Sequence, residues 1–135
     1  MRYRTVGLVT ALAGVALLAA ACTPVPAVSV APSTGLTDGQ VVTVIGSGYS
    51  PSSTVGIVQC RAGASAIDQC DGRTADSFST DAAGRYTRSM TVYARVTDAH
   101  GVSTDCASAP GACIVASVYV HGFQGLATAP LTFAT

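Results

Sequence analysis

The sequence predicts an all-β domain, a sandwich of about seven short strands occupying residues 28–135. Three observations predict it. Short runs rich in Val, Thr and Ile recur every 8–15 residues or so, each closed by Gly, Asp, Ser or Pro. One stretch, 85–96, alternates apolar and polar side chains with period two. No stretch of the domain carries the 3.6-residue period of a helix.

The segment ahead of the domain does not belong to the fold. Arg2 and Arg4 precede an almost unbroken apolar run over 6–20, and small residues follow at Ala19, Ala20 and Ala21. A positive start, a short apolar stretch and a small-residue cleavage site describe a signal peptide over 1–21. The run is short of the ~20 residues that a spanning helix needs, so export is expected in place of a membrane span. Ala-Ala-Ala-Cys after a leucine pair also resembles a bacterial lipobox, although Ala19 stands where that motif usually has Leu. The chain has five cysteines, and Cys60, Cys70, Cys106 and Cys113 form two close pairs, which leaves Cys22 over. The expectation is a lipid on Cys22, holding the protein outside the cytoplasmic membrane, with 22–27 as anchor and linker. Ordinary cleavage after Ala21 or Ala27, with free secretion, is the alternative.

Within the domain, 28–30 is a first short strand and 32–39 is dense in turn formers. Strands follow over 41–45, closed by Gly46-Ser47-Gly48, over 55–60, and briefly around 77–79. Asp81-Ala82-Ala83-Gly84 is a turn. From 85 to 96, Tyr86, Met90, Val92, Ala94 and Val96 share one face, with Arg88 the exception, and polar residues and Tyr93 take the other. That pattern is a half-buried antiparallel strand. The chain turns at 98–101, and strands over 114–120 and 126–133 complete the set, with Pro130 suited to an edge. For the four domain cysteines, pairing in sequence order is the simplest of three connectivities. Zinc is disfavoured by the missing CxxC spacing.

Charge excludes one class of partner. The chain has no Lys, Glu, Asn or Trp, and the domain sets five scattered arginines against seven aspartates. Backbone-phosphate binding needs clustered positive charge, so direct binding of nucleic acid by the protein surface is not expected. Catalysis is not expected either. His100 and His121 each sit beside Gly in loops, no nucleophile elbow occurs, and no ligand spacing marks a metal site.

The stretch from Ala31-Pro32-Ser33-Thr34-Gly35-Leu36-Thr37-Asp38-Gly39-Gln40 to Val41-Val42-Thr43-Val44-Ile45-Gly46-Ser47-Gly48 resembles the opening of the neocarzinostatin family. Gln59-Cys60 with Cys70, then Asp81-Ala82-Ala83-Gly84, then Thr104-Asp105-Cys106 with Cys113 continue the likeness in order. These are apoproteins of enediyne antibiotic chromophores. The resemblance implies a seven-stranded immunoglobulin-like antiparallel β-sandwich with short-range disulfides Cys60–Cys70 and Cys106–Cys113. It also implies a monomeric, non-enzymatic carrier with no cofactor other than a small apolar chromophore-like ligand. The ligand cleft would lie at one end, around Gln59, Ile114 and Val118. Antimicrobial action and DNA damage would come from the chromophore and not from the protein.

This sequence departs from the family where rings meet the guest. Ala62 stands in place of a bulky aromatic, Ala75 in place of a ligand-facing Phe, and Val118 in place of a Ser. The hairpin between Val92 and Cys106 is shortened and keeps Tyr93 as its one aromatic. Enediyne affinity is therefore expected to fall by about 30- to 1,000-fold, with compensation as the alternative if Tyr93, Tyr119 or Phe123 swings into the cleft. A rival of another class is a lipid-anchored surface module that docks a partner through Tyr86, Tyr93 and Tyr119. An open apolar cleft favours the carrier, whereas a filled cleft with a tyrosine-rich face favours the module.

Overall fold

The computed structural model describes residues 24–135, so the signal-peptide reading and Cys22 lie outside the described residues. Nine strands follow in order: β1 (Ala27–Ala31), β2 (Gln40–Ser47), β3 (Thr54–Arg61), β4 (Cys70–Ser79), β5 (Tyr86–Val92), β6 (Arg95–Thr97), β7 (Ser103–Asp105), β8 (Cys113–Tyr119) and β9 (Gln124–Leu131). Seven of them make the sandwich, as sheets of order β1-β2-β5 and β4-β3-β8-β9, while β6 and β7 form a separate ribbon. Every pairing between these strands is antiparallel.

The core lies between the two sheets. On β2, alternation puts Val42 and Val44 inside and Val41 and Ile45 outside. Val55 and Ile57 of β3 and Val115 of β8 meet them from the other sheet, and Leu36 and Phe133 close one end. Burying each such side chain contributes about 1.5–3 kcal/mol. Tyr49 and Tyr86 also turn inward, and their hydroxyls meet at Ser117 Oγ, 2.7 and 2.5 Å away. Burial pushes the Tyr86 hydroxyl up to about 12, so it stays a neutral hydrogen-bonding group at any physiological pH.

The two extra strands arise where the expected 85–96 strand breaks at Tyr93 and Ala94. Beyond Val92 the backbone leaves β2 and finds side-chain partners. Gln59, wholly buried, accepts from Tyr93 N–H (2.8 Å) and donates from Nε2 to Tyr93 C=O (2.7 Å). Ala94 N–H donates to Asp38 Oδ1 at 3.0 Å. The amide of Gln59 thus replaces one rung of a β-ladder and releases the chain to form β6.

The first half of β4 is also longer than the sequence suggests. It is polar but not solvated. Asp71 is buried and accepts from Arg73 N–H, Arg73 Nε and Thr97 N–H. Thr74 Oγ1 accepts Gln59 N–H at a bulge between Ile57 and Gln59. Arg73 lies 4.0 Å over the Tyr93 ring and donates to Arg95 C=O, so this half-strand clamps the ribbon to the sandwich. Disulfide Cys60–Cys70 joins β3 to β4, and Cys106–Cys113 ties the turn just after β7 to the start of β8. Pro130 lies on β9, an edge strand of its sheet, where a missing N–H costs no ladder bond.

Candidate ligand cavity

The outer face of the four-stranded sheet carries a hollow, and the sequence explains why. Ser77, Gly56 and Val118 stand abreast on β4, β3 and β8. The middle residue of that row has no side chain, so the sheet surface dips at Gly56. A Cβ there would lie 3.3 Å from Asp76 C=O, which leaves little room for any larger residue. Val58 and Ala75 continue the floor. Two loops raise the walls. Ile67 comes from a 3₁₀ turn (Ile67–Gln69) inside the loop closed by Cys60–Cys70, and Phe123 comes from the turn between β8 and β9. The cavity encloses about 430 Å³, within the usual range for a small-molecule site.

Its lining is almost wholly apolar. Asp76 borders it on β4, but its carboxylate turns to the other face of the sheet, where Arg88 of β5 holds it at 2.8 Å. The guanidinium in turn stacks 4.5 Å over Phe78. No basic residue lines the cavity itself. Among the described residues no cluster of three metal-ligating side chains occurs.

The three sequence-predicted ligand residues part company. Val118 lines the cavity. Ile114 lies on the same outer face, in an apolar cluster with Val58, Cys60, Ala116 and Phe123. Gln59 lies on the opposite face, its amide taken up by Tyr93. Of the positions where the family's rings are missing, Ala75 lines the cavity and Ala62 is exposed in the Cys60–Cys70 loop. The tyrosines do not form an outward face. Tyr86 is in the core, Tyr93 lies under Arg73, and Tyr119 packs on the core with its hydroxyl accepting Ser50 N–H at 2.6 Å. Of the three rings that could compensate in the cleft, Phe123 lines the cavity and Tyr93 and Tyr119 do not. Ile67 and Gly56 escaped the sequence reading.

The Ile67 wall is tied down from the ribbon. Ala99 N–H donates to Asp68 C=O at 3.1 Å, and His100 Nε2 lies 3.0 Å from Asp68 Oδ2. His100 is presented by a turn in which Asp98 Oδ1 accepts His100 N–H and Val102 N–H. Its hydrogen bond to Asp68, with the charges of Asp68 and Asp98, raises the His100 pKa above the ordinary histidine value. A raised pKa means that this tie is at full strength below pH ~6.5 and weakens as pH rises through the folded-state value. The protection factor of the Ala99 amide against hydrogen exchange should therefore fall between pH 6 and 9. In His100→Gln it should be flat across that range. An equal fall in both proteins would show that His100 is not the titrating group.

With this geometry in hand, the likeness to known proteins becomes specific. The sequence profile of the Neocarzinostatin family matches residues 28–133, the whole sandwich. This chain belongs to the neocarzinostatin family. It is 40% identical over 109 residues to the antitumor antibiotic C-1027 apoprotein of Streptomyces globisporus, covering 75% of this chain and 76% of that one. Actinoxanthin, also of Streptomyces globisporus, is 44% identical over 87 residues, 62% of this chain and 60% of its own. The solved structure of macromomycin superposes with a TM-score of 0.68 at 29% identity, over 81% of this chain and 99% of its own. Neocarzinostatin-family apoproteins are non-enzymatic carriers, so the family places this chain outside the enzymes.

Proposed function

We propose that this chain is an exported carrier that sequesters a small apolar molecule in the outer-face cavity. The observation that carries the reading is the open hollow at Gly56, walled by Ile67 and Phe123, in a family whose members include an antibiotic apoprotein. The inward turn of Tyr86 and Tyr119 supports the carrier over the surface module, which would need those rings outside. The guest is of the chromophore kind, but Ala62, Ala75 and Val118 in place of rings and a hydroxyl leave the family's enediynes weakly held. Any antimicrobial or DNA-damaging action then belongs to the guest. Methyl 2-naphthoate, a neutral flat ring ester, is a usable probe. Saturable one-to-one binding by fluorescence titration is expected, and none up to the solubility limit would remove the carrier reading.

The same proposal includes an anchor. With the other four cysteines consumed in disulfides, Cys22 is the remaining thiol and the lipid acceptor. Two or more acyl chains hold a protein on a membrane where one does not. Cys22→Ser should release the protein from the membrane fraction or block its processing. Native protein recovered from the medium without a lipid mass on Cys22 would rule the anchor out.

A further inference from the structure

We infer that Phe123 is the ring-recognition residue of the cavity, making the site select a flat, neutral aromatic guest over a saturated one of equal size. The inference rests on the carrier reading and deepens it. Phe123 is the aromatic side chain that reaches the lining, since Tyr93 and Tyr119 are engaged elsewhere. Its ring also rests on the outer-face cluster of Val58, Cys60, Ile114 and Ala116, so it is half-buried and fixed in place.

The backbone gives an independent reason. Phe123 has φ of 52°, directly after Gly122 at 85°. A bulky L-residue is sterically disfavoured in that region, where Gly or Asn is the ordinary choice. Strained conformations of this kind persist where the surroundings over-determine them, and they gather at ligand sites. Here the left-handed turn puts a ring at the cavity wall, on a lining where Ala75 offers only a methyl group. A planar quadrupolar surface rewards offset stacking or edge contact by another ring and gives a puckered saturated ring only dispersion. The lack of a basic residue in the lining adds the second half of the preference, for a neutral guest over a carboxylate.

The test compares two probes, methyl 2-naphthoate and the saturated methyl decalin-2-carboxylate, against intact protein and three variants. The saturated ester is read by its displacement of the fluorescent one. Phe123→Leu keeps an apolar side chain and loses the ring. It should weaken naphthoate binding about three- to tenfold, change decalin binding by less than about twofold, and so erase the preference. Phe123→Tyr should retain it. Phe123→Gly relieves the backbone and should lose the preference without a fall in melting temperature beyond that of Phe123→Leu. A preference unchanged in Phe123→Leu, with naphthoate still bound, would overturn the role of Phe123 and leave the carrier reading standing. Failure of the intact protein to bind either ester would overturn both.

Discussion

Gln59→Leu is expected to destabilise the domain by about 2–4 kcal/mol, although the substitution is nearly isosteric and apolar. Gln59 is fully buried, and its amide satisfies both the N–H and the C=O of Tyr93 at 2.8 and 2.7 Å. Leucine leaves both backbone groups unpaired, at about 1–3 kcal/mol each where water cannot replace the partner. Tyr93 is only half-buried, which brings the total below the upper sum. Gln59→Glu should be at least as damaging, because a carboxylate can accept from Tyr93 N–H but cannot donate to Tyr93 C=O, and it buries a charge. The local readout is hydrogen exchange in β6 and β7, which should rise more than exchange in β2 and β3. Ligand affinity should fall as well, since the ribbon tip holds the Ile67 wall through Asp68. A loss under 0.5 kcal/mol (order of a typical surface substitution) would show that the amide bridge is not what holds the ribbon.

Val118→Trp is expected to abolish probe binding with little cost in stability. Val118 faces the hollow beside Gly56, so an indole at that position fills the cavity instead of displacing core. Naphthoate affinity should fall at least tenfold, about 1.4 kcal/mol or more. The added apolar burial should keep the change in folding free energy within about 1 kcal/mol. Ala75→Phe has the opposite sign, adding a ring at the lining and tightening binding about two- to tenfold. Unchanged affinity in both variants would mean that the guest sits elsewhere.

Much of the sandwich was legible because β-branched runs and turn residues agree with the global fold. Val42 and Val44 inside, with Val41 and Ile45 outside, follow from alternation alone. The break after Val92 was not legible, because apolar alternation runs on through Ala94 and Val96. What ends β5 is a pair of side chains far away in sequence, Gln59 and Asp38. The polar start of β4 was hidden for a similar reason, since Asp71 and Thr74 are buried through bonds that only the fold brings together.

The site divides in the same way. Val118 follows from the family resemblance and from the alternation of β8. The inward position of Gln59 was available in principle, since period two puts it on the face opposite Cys60 and the outer-face cluster contains Cys60. Ile67 and Phe123 stand on a 3₁₀ turn and a left-handed turn, where no periodicity says which way a side chain points.

The central claim is that the guest lies on the outer face of the four-stranded sheet. A ¹⁵N chemical-shift titration with methyl 2-naphthoate tests it most directly. The largest shifts should fall on Gly56, Ser77, Val118, Gly122 and Phe123, with Thr43 and Ser89 on the far sheet unmoved. Shifts centred instead on Gly48, Ser50 and Gly125, where a second crevice lies between Pro26 and Tyr119, would contradict the account.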